Sequence, residues 1–449
     1  MKQRGNEIVI LGAGESGTGA AILAKKKGFN VLVSDYGTIA PQYKKVLKHY
    51  DIDFEEKGHS FDRIENASEI IKSPGIPDTA KPVMAALRKN IPVISEIEFA
   101  ARYTNARLIC ITGSNGKTTT TLLTRHIMKN AGLNTGLAGN VGDSFARQVA
   151  EHDYDYYVLE ISSFQLDGMF DFKADIAVLT NLTPDHLDRY NNRFENYINS
   201  KFRILQNMTK DDAFIYNADD PVTQRELAKR NIIPKKYSLT LNNQPRDNGA
   251  WLEQQKMIVN INKNRFDMTL EQLALQGKHN IYNSMAASVA ARLTDVRKES
   301  LKQSLSDFEN IPHRLEYVSN VHGITFINDS KATNVNSTWY ALEHMDASTV
   351  WIAGGQDKGN DYSSIIPLVK QKVKAIVCLG TDNKKLHETF EDSVELMIDT
   401  TSAEEAVAYA YQLANNGEIV LLSPACASFD LFKNYQDRGD RFKQAVKAL

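Results

Sequence analysis

Residues 108–124, LICITGSNGKTTTTLLT, restrict this chain's fold more than any other stretch. Leu108 to Ile111 is an apolar run of the kind that forms a buried strand. It breaks into a glycine turn, and Lys117-Thr118-Thr119 then opens a segment with helical spacing. Strand, small-residue loop and helix N-terminus, in that order, form a phosphate cradle. Successive backbone N–H groups converge on phosphate oxygens, a lysine supplies a point charge and a threonine hydroxyl can ligate Mg²⁺. The loop Gly113-Ser114-Asn115-Gly116-Lys117-Thr118 is shorter than the common G-x-x-x-x-G-K-[ST] form, because Ile111 stands where that pattern has its first glycine.

A chain of 449 residues exceeds one hydrophobic core, so several domains are expected. An apolar fraction of 42%, a charged fraction of 24% and a net charge of −2 give no sign of a nucleic-acid or membrane partner. No apolar run approaches the roughly 18 residues of a membrane span, and the start lacks a signal-sequence pattern. The three cysteines, Cys110, Cys378 and Cys426, stand in apolar or small-residue settings. Such usage fits a reducing compartment, the expectation is a cytoplasmic, multidomain α/β protein, and nothing in the sequence demands more than a monomer.

The remaining motifs fall at the ends of apolar runs. Glu7 to Leu11 leads into Gly12-Ala-Gly-Glu-Ser16-Gly17, and Val31 to Ser34 ends in Asp35, like the first half of a dinucleotide-type unit. Ile70 onward runs into Ser73-Pro-Gly-Ile-Pro77. Tyr156 to Glu160 places an acid downstream of the phosphate loop, where a Mg²⁺ ligand or water-orienting carboxylate belongs. Ile176 to Asn181 precedes Asp185, His186 and Asp188, where His186 suits a metal ligand or a phosphate contact. Lys201 follows Tyr197 by one helical turn. As an ammonium it cannot bind Mg²⁺, so a metal role requires its conversion to a carbamate.

Short β-like runs between 235 and 275 suggest a small antiparallel insertion. Strands are expected at Ile324–Asn328, Val350–Ala353, Ala375–Leu379 and Glu418–Leu422. Three polar segments follow three of them: Asn328–Asn334, Gly354–Gly359 with Lys358, and Ser423–Asp430. Together they point to a second substrate pocket. Cys426 has no neighbouring histidine in sequence and reads as a buried structural thiol.

Thr112–Thr119, His279-Asn280-Ile-Tyr-Asn283, Pro312-His313-Arg314 and Asn328–Asn334 together resemble the Mur ligases, ATP-dependent amide-forming enzymes of peptidoglycan precursor synthesis. The tail from Leu422 to Gly439 looks specifically like that of the member that adds D-glutamate. The resemblance implies three α/β domains: a Rossmann-like one over 1–96 for a UDP-linked substrate, a central P-loop ATPase-type one over 97–311, and a dinucleotide-fold-like one over 312–449 for the amino acid. It implies that Gly113, Ser114, Asn115, Gly116, Lys117, Thr118 and Thr119 hold ATP phosphates, with Asn280, Asn283, Arg314 and Asp329 also at the nucleotide. Thr118 and Glu160 would hold one Mg²⁺, and His186 with a carbamylated Lys201 a second. Ser16, Asp35, Ser73 and Asn140 would meet UDP-N-acetylmuramoyl-L-alanine. Thr333, Lys358, Ser428 and Tyr435 would surround D-glutamate. Lys117, His186, Lys201 and Lys358 are the implied catalytic set. Tyr36 and Gly37 depart from the smaller polar and basic residues of the family beside Asp35.

Three competing readings remain at this point. A nicotinamide-dependent oxidoreductase would explain Gly12–Gly17 and Asp35 but leaves the phosphate loop unused. Another amino-acid ligase of the same fold would lack the Ser423–Gly439 tail. A non-catalytic nucleotide-binding protein would not need Lys117, Glu160, His186 and Lys201 together.

Overall fold

The computed structural model describes residues 6–245, 247–275, 277–308, 312–343 and 345–449. Buried β-rich runs alternate with helices and assemble into three sheets. The first contains β1 (Glu7–Leu11), β2 (Asn30–Asp35), β3 (Asp53–Glu56), β4 (Glu69–Lys72) and β5 (Val93–Ser95), in the order β3-β2-β1-β4-β5 and all parallel. Its strands are buried where they read Ile-Val-Ile-Leu, because helices cover both faces of a parallel sheet.

The second sheet contains β6 (Arg107–Thr112), β7 (Thr135–Gly139), β8 (Tyr156–Glu160), β9 (Ile176–Leu179), β10 (Ala213–Asn217), β11 (Lys235–Thr240), β12 (Gly249–Glu253), β13 (Lys256–Ile261) and β14 (Asn264–Thr269). Its order is β14-β13-β12-β11-β10-β9-β6-β8-β7. The segment expected as a small antiparallel insertion is instead an extension of this sheet. β12 joins β11 in parallel, and β13 and β14 continue it as antiparallel hairpins. Helices Lys117–Asn130 and Lys278–Arg292 pack their Leu123, Ile127, Met285 and Val289 against Ile109, Val178 and Val259 of the sheet.

These two sheets form one compact unit, composed of the chain up to Pro184 together with Arg193–Phe308. Helix Glu15–Lys26 from beside the first sheet packs on helix Phe145–Glu151 beside the second. The approach is close at Gly19, where a Cβ would stand 1.9 Å from Ser144 Oγ. Glu96 is buried at the same junction and accepts hydrogen bonds from Ser144 Oγ at 2.7 Å and Ala146 N at 2.6 Å.

Burial pushes the Glu96 carboxyl up from 4.5 to about 7, against the pull of those two donors. Between these values the native state holds a proton that the unfolded chain has released. This contribution to stability is therefore complete below about pH 4.5 and is lost as pH rises through about 7, by about 3 kcal/mol in all. Glu96→Gln keeps the acceptor oxygen and cannot ionise. Urea unfolding at about pH 5 and about pH 8 is expected to show a shallower loss of stability in this variant than in wild type.

Asp185–Asn192 and the residues beyond Phe308 form the second unit. The division expected at 311 falls on Ile311, outside the described residues. The third sheet contains β15 (Glu316–Val321), β16 (Ile324–Asn328), β17 (Thr349–Gly354), β18 (Val373–Leu379), β19 (Leu396–Thr400) and β20 (Ile419–Ala425), ordered β15-β16-β20-β17-β18-β19. Only β15 runs antiparallel to its neighbour. One face carries helices Ala403–Leu413 and Tyr435–Lys447, the other Val335–Glu343, Ile366–Lys372 and Lys384–Phe390.

Candidate active site

The phosphate loop has the architecture its residues imply. β6 ends at Thr112, and helix Lys117–Asn130 begins directly after Gly116. Gly116 has φ +81°, a conformation that disfavours any side chain, and a Cβ there would stand 2.4 Å from Asn283 Oδ1. Asn283 Oδ1 accepts from Thr120 Oγ1, and its Nδ2 donates to Asn280 Oδ1. The Asn280 and Asn283 of the second helix are thus brought to the loop.

The loop is fixed mostly by the segment after β9. Ser114 N and Asn115 N donate to Asn181 O and Oδ1, and Thr180 Oγ1 donates to Asn115 O at 2.6 Å. Ser114 Oγ is bonded to the Thr183 backbone and to Tyr197 OH at 3.0 Å. Lys117 Nζ donates to the carbonyls of Gly113 and Ser114, holding its charge at the loop. Thr180 and Thr183 carry part of this scaffold, although no spacing rule singles them out: they are short polar residues beyond a strand.

Glu160 ends β8 beside β6 and is buried. Its Oε1 accepts from Asn140 Nδ2 at 2.8 Å, while Oε2 has no hydrogen-bond partner among the described residues. A buried carboxylate oxygen without a partner is costly and suits a cation. Lys201 is 2% exposed; its Nζ donates to Thr112 Oγ1 at 3.1 Å and sits 5.3 Å from the Tyr197 ring centroid. Thr118, Glu160 and Lys201 all belong to the first unit, whereas His186 belongs to the second. His186 has φ +53°, and its Nε2 stands 3.8 Å from Asp185 Oδ1.

Around the first glycine turn, Asp35 accepts from Ala13 N at 2.8 Å and from Gly37 N. Ser73 lies against Gly12, and Ser16 is in the first turn of the following helix. Three of the four residues assigned to the UDP-linked substrate thus ring one turn. The fourth, Asn140, is held instead at Glu160. Tyr36 is 80% exposed beside them.

In the second unit, β16, β20 and β17 are adjacent and parallel, so the three polar segments leave the sheet on one edge. Arg438 ties them together and was not singled out from sequence. It is buried, with Nε donating to Ser330 Oγ, Nη2 to Ser330 O and Cys426 O, and Nη1 to Gly354 O. Burial lowers its guanidinium to about 10. Asp329 accepts from Ser423 Oγ at 2.9 Å and from Leu315 N; burial pushes its carboxyl up to about 7 against the opposing charge of Arg314. Lys331 Nζ donates to Tyr435 OH, Ser428 is buried, and Asn334 Nδ2 donates to Asp185 Oδ2. Thr333 and Lys358 lie on the first and second of the three segments. Cys426 is the buried structural thiol expected, pushed up to about 11 by burial, with Tyr362 OH 3.2 Å from its sulfur.

Strand, shortened glycine loop and helix, fixed on a parallel sheet beside a buried acid, define a phosphate-loop nucleotide-binding protein. Comparison with known proteins narrows this. Residues 7–81 match the MurD N-terminal domain, 111–291 the Mur ligase middle domain and 313–426 the Mur ligase glutamate ligase domain. The chain is 52% identical to the UDP-N-acetylmuramoylalanine--D-glutamate ligase of Christiangramia forsetii, over 99% of this chain and 100% of that one. It is 55% identical to the protein of the same name from Bacteroides fragilis, over 98% and 99%. Its fold is similar to that of a pseudomurein peptide ligase type C from Methanothermus fervidus, with a TM-score of 0.64 at 20% identity, covering 98% and 99% of the two chains. The chain belongs to the Mur ligase family.

Proposed function

We infer that this enzyme uses ATP to join D-glutamate to UDP-N-acetylmuramoyl-L-alanine, forming an amide in peptidoglycan precursor synthesis. The observation that carries this reading is the full-length likeness to relatives bearing that name. Membership of the family sets aside the oxidoreductase reading of Gly12–Gly17.

Carboxylate and amine do not condense spontaneously in water, so the carboxylate must be activated. A carboxylate oxygen of the L-alanyl group attacks the γ-phosphorus of ATP, the bond to the β,γ-bridging oxygen breaks, and an acyl phosphate and ADP result. The loop amides and Lys117 hold the phosphates and stabilise charge gathering on the transferred group. The D-glutamate amine then attacks the acyl carbon. The tetrahedral intermediate expels phosphate, and the amine loses its proton.

Thr118 and Glu160 would hold one Mg²⁺, and the buried, unpartnered Glu160 Oε2 fits that role. His186 and Lys201 would hold a second ion only with Lys201 as a carbamate, since its ammonium has no lone pair. Mg²⁺ there would neutralise phosphate charge. Lys358 would pair with a D-glutamate carboxylate, with Thr333, Ser428 and Tyr435 beside it. Asn280, Asn283, Arg314 and Asp329 would meet ATP; Ser16, Asp35 and Ser73, with Asn140, would meet the UDP-linked substrate. The assigned divisions are 1–96, 97–311 and 312–449. One chain carries every assigned group, so a monomer suffices. The three cysteines are free and buried, which supports work in a reducing compartment, the cytoplasm; among the described residues no helix is long and apolar enough to cross a membrane.

The test is ADP release from UDP-N-acetylmuramoyl-L-alanine and ATP with a panel of amino acids. D-Glutamate is expected to give the highest kcat/KM. Preference for L-alanine, L-lysine or diaminopimelate would refute the substrate while leaving the family intact.

A further inference from the structure

We propose that Cys378, His387 and Asp399, in the second unit, form a binding site for a divalent transition-metal ion of the zinc type, separate from the phosphate loop. Backbone register creates the first half of the site. Cys378 on β18 is paired with Asp399 on β19, so in this parallel ladder their side chains share one face. Helix Lys384–Phe390 supplies the third donor, and His387 Nε2 lies 3.0 and 3.1 Å from the two Asp399 carboxylate oxygens. One donor atom from each of the three residues falls within 4.8 Å of the others. Zinc bonds of about 2.0–2.3 Å place tetrahedral donors roughly 3–4 Å apart, so a small movement of the half-buried His387 and the exposed Asp399 toward the buried Cys378 brings all three within reach of one ion.

Two features beyond the cluster support an ion. Asn383 Nδ2 donates to Asp399 Oδ1 at 3.0 Å, the kind of outer contact that orients a ligating carboxylate. A cavity of about 710 Å³, lined by Thr381, His387, Glu388, Glu391 and Asp399, opens onto the site and provides both entry and water for a remaining position. The donor set of sulfur, imidazole nitrogen and carboxylate selects zinc-like ions over Mg²⁺, which prefers oxygen alone. Burial pushes the free Cys378 thiol up to about 12, so the ion must displace its proton.

The experiment uses the full chain, stripped with a chelator and titrated with Co²⁺. Expected are one bound equivalent, a thiolate-to-cobalt charge-transfer band, one proton released from Cys378, and displacement by Zn²⁺. Saturating Mg-ATP should leave the band in place. Cys378→Ser should abolish the band, and His387→Gln, a change at the surface, should weaken binding at least about tenfold. No band in wild type, or a band undiminished in Cys378→Ser, would overturn the proposal and leave His387–Asp399 an ordinary hydrogen-bonded pair.

Discussion

Lys117→Ala is expected to lower kcat for D-glutamate-dependent ADP release by roughly 10³-fold or more, with little change in the folding transition. Its ammonium donates to the carbonyls of Gly113 and Ser114 at 2.9 and 2.7 Å, neutral acceptors within its own loop. In the proposed reaction the same charge faces oxygens that become more negative as the phosphoryl group transfers. Removing one preorganised donor of that kind costs roughly 10²–10³ in rate, and a full charge costs more. Steady-state kinetics with calorimetric unfolding separate the two effects. Full activity in this variant would remove the loop from the chemistry.

Arg438→Ala carries the largest expected effect on stability. The guanidinium satisfies the carbonyls of Ser330, Cys426 and Gly354 and the Ser330 hydroxyl inside a buried space. Truncation leaves those acceptors unpaired and opens a cavity, costing about 3–5 kcal/mol. The melting transition of the second unit should fall by about 10 °C. Arg438→Lys keeps charge but not the planar fork, so it should recover only part of the loss. Because Arg438 ties the three polar segments, KM for D-glutamate should rise in Arg438→Lys while KM for ATP changes less. A KM for D-glutamate unchanged in that variant would detach these segments from amino-acid binding.

Legibility in the sequence followed the strength of local constraints. The phosphate loop could be read because strand, glycine turn and lysine are contiguous, and Gly116 must adopt its positive φ. The strands ending at Gly354 and Leu379 are apolar and buried on both faces, and the one ending at Asn328 is buried on one face. β3, β15 and β19 escaped notice because they are edge strands with sequences such as Asp-Phe-Glu-Glu, whose charges guard an open edge. The 235–275 segment showed its short strands but not their partner, since register with β11 is a long-range choice. Arg438 was invisible for a different reason. An arginine within the polar helix Tyr435–Lys447 reads as surface charge until tertiary packing buries it. Asn140 likewise carries no local sign that it faces Glu160.

The central claim, that the carboxylate is activated by phosphoryl transfer before the amine attacks, is tested most directly by isotope transfer. UDP-N-acetylmuramoyl-L-alanine carrying oxygen-18 at both alanyl carboxylate positions is turned over with ATP and D-glutamate, and the released phosphate is weighed by mass spectrometry. One labelled oxygen per phosphate, with the other retained in the product amide, is the predicted result. Unlabelled phosphate would contradict it.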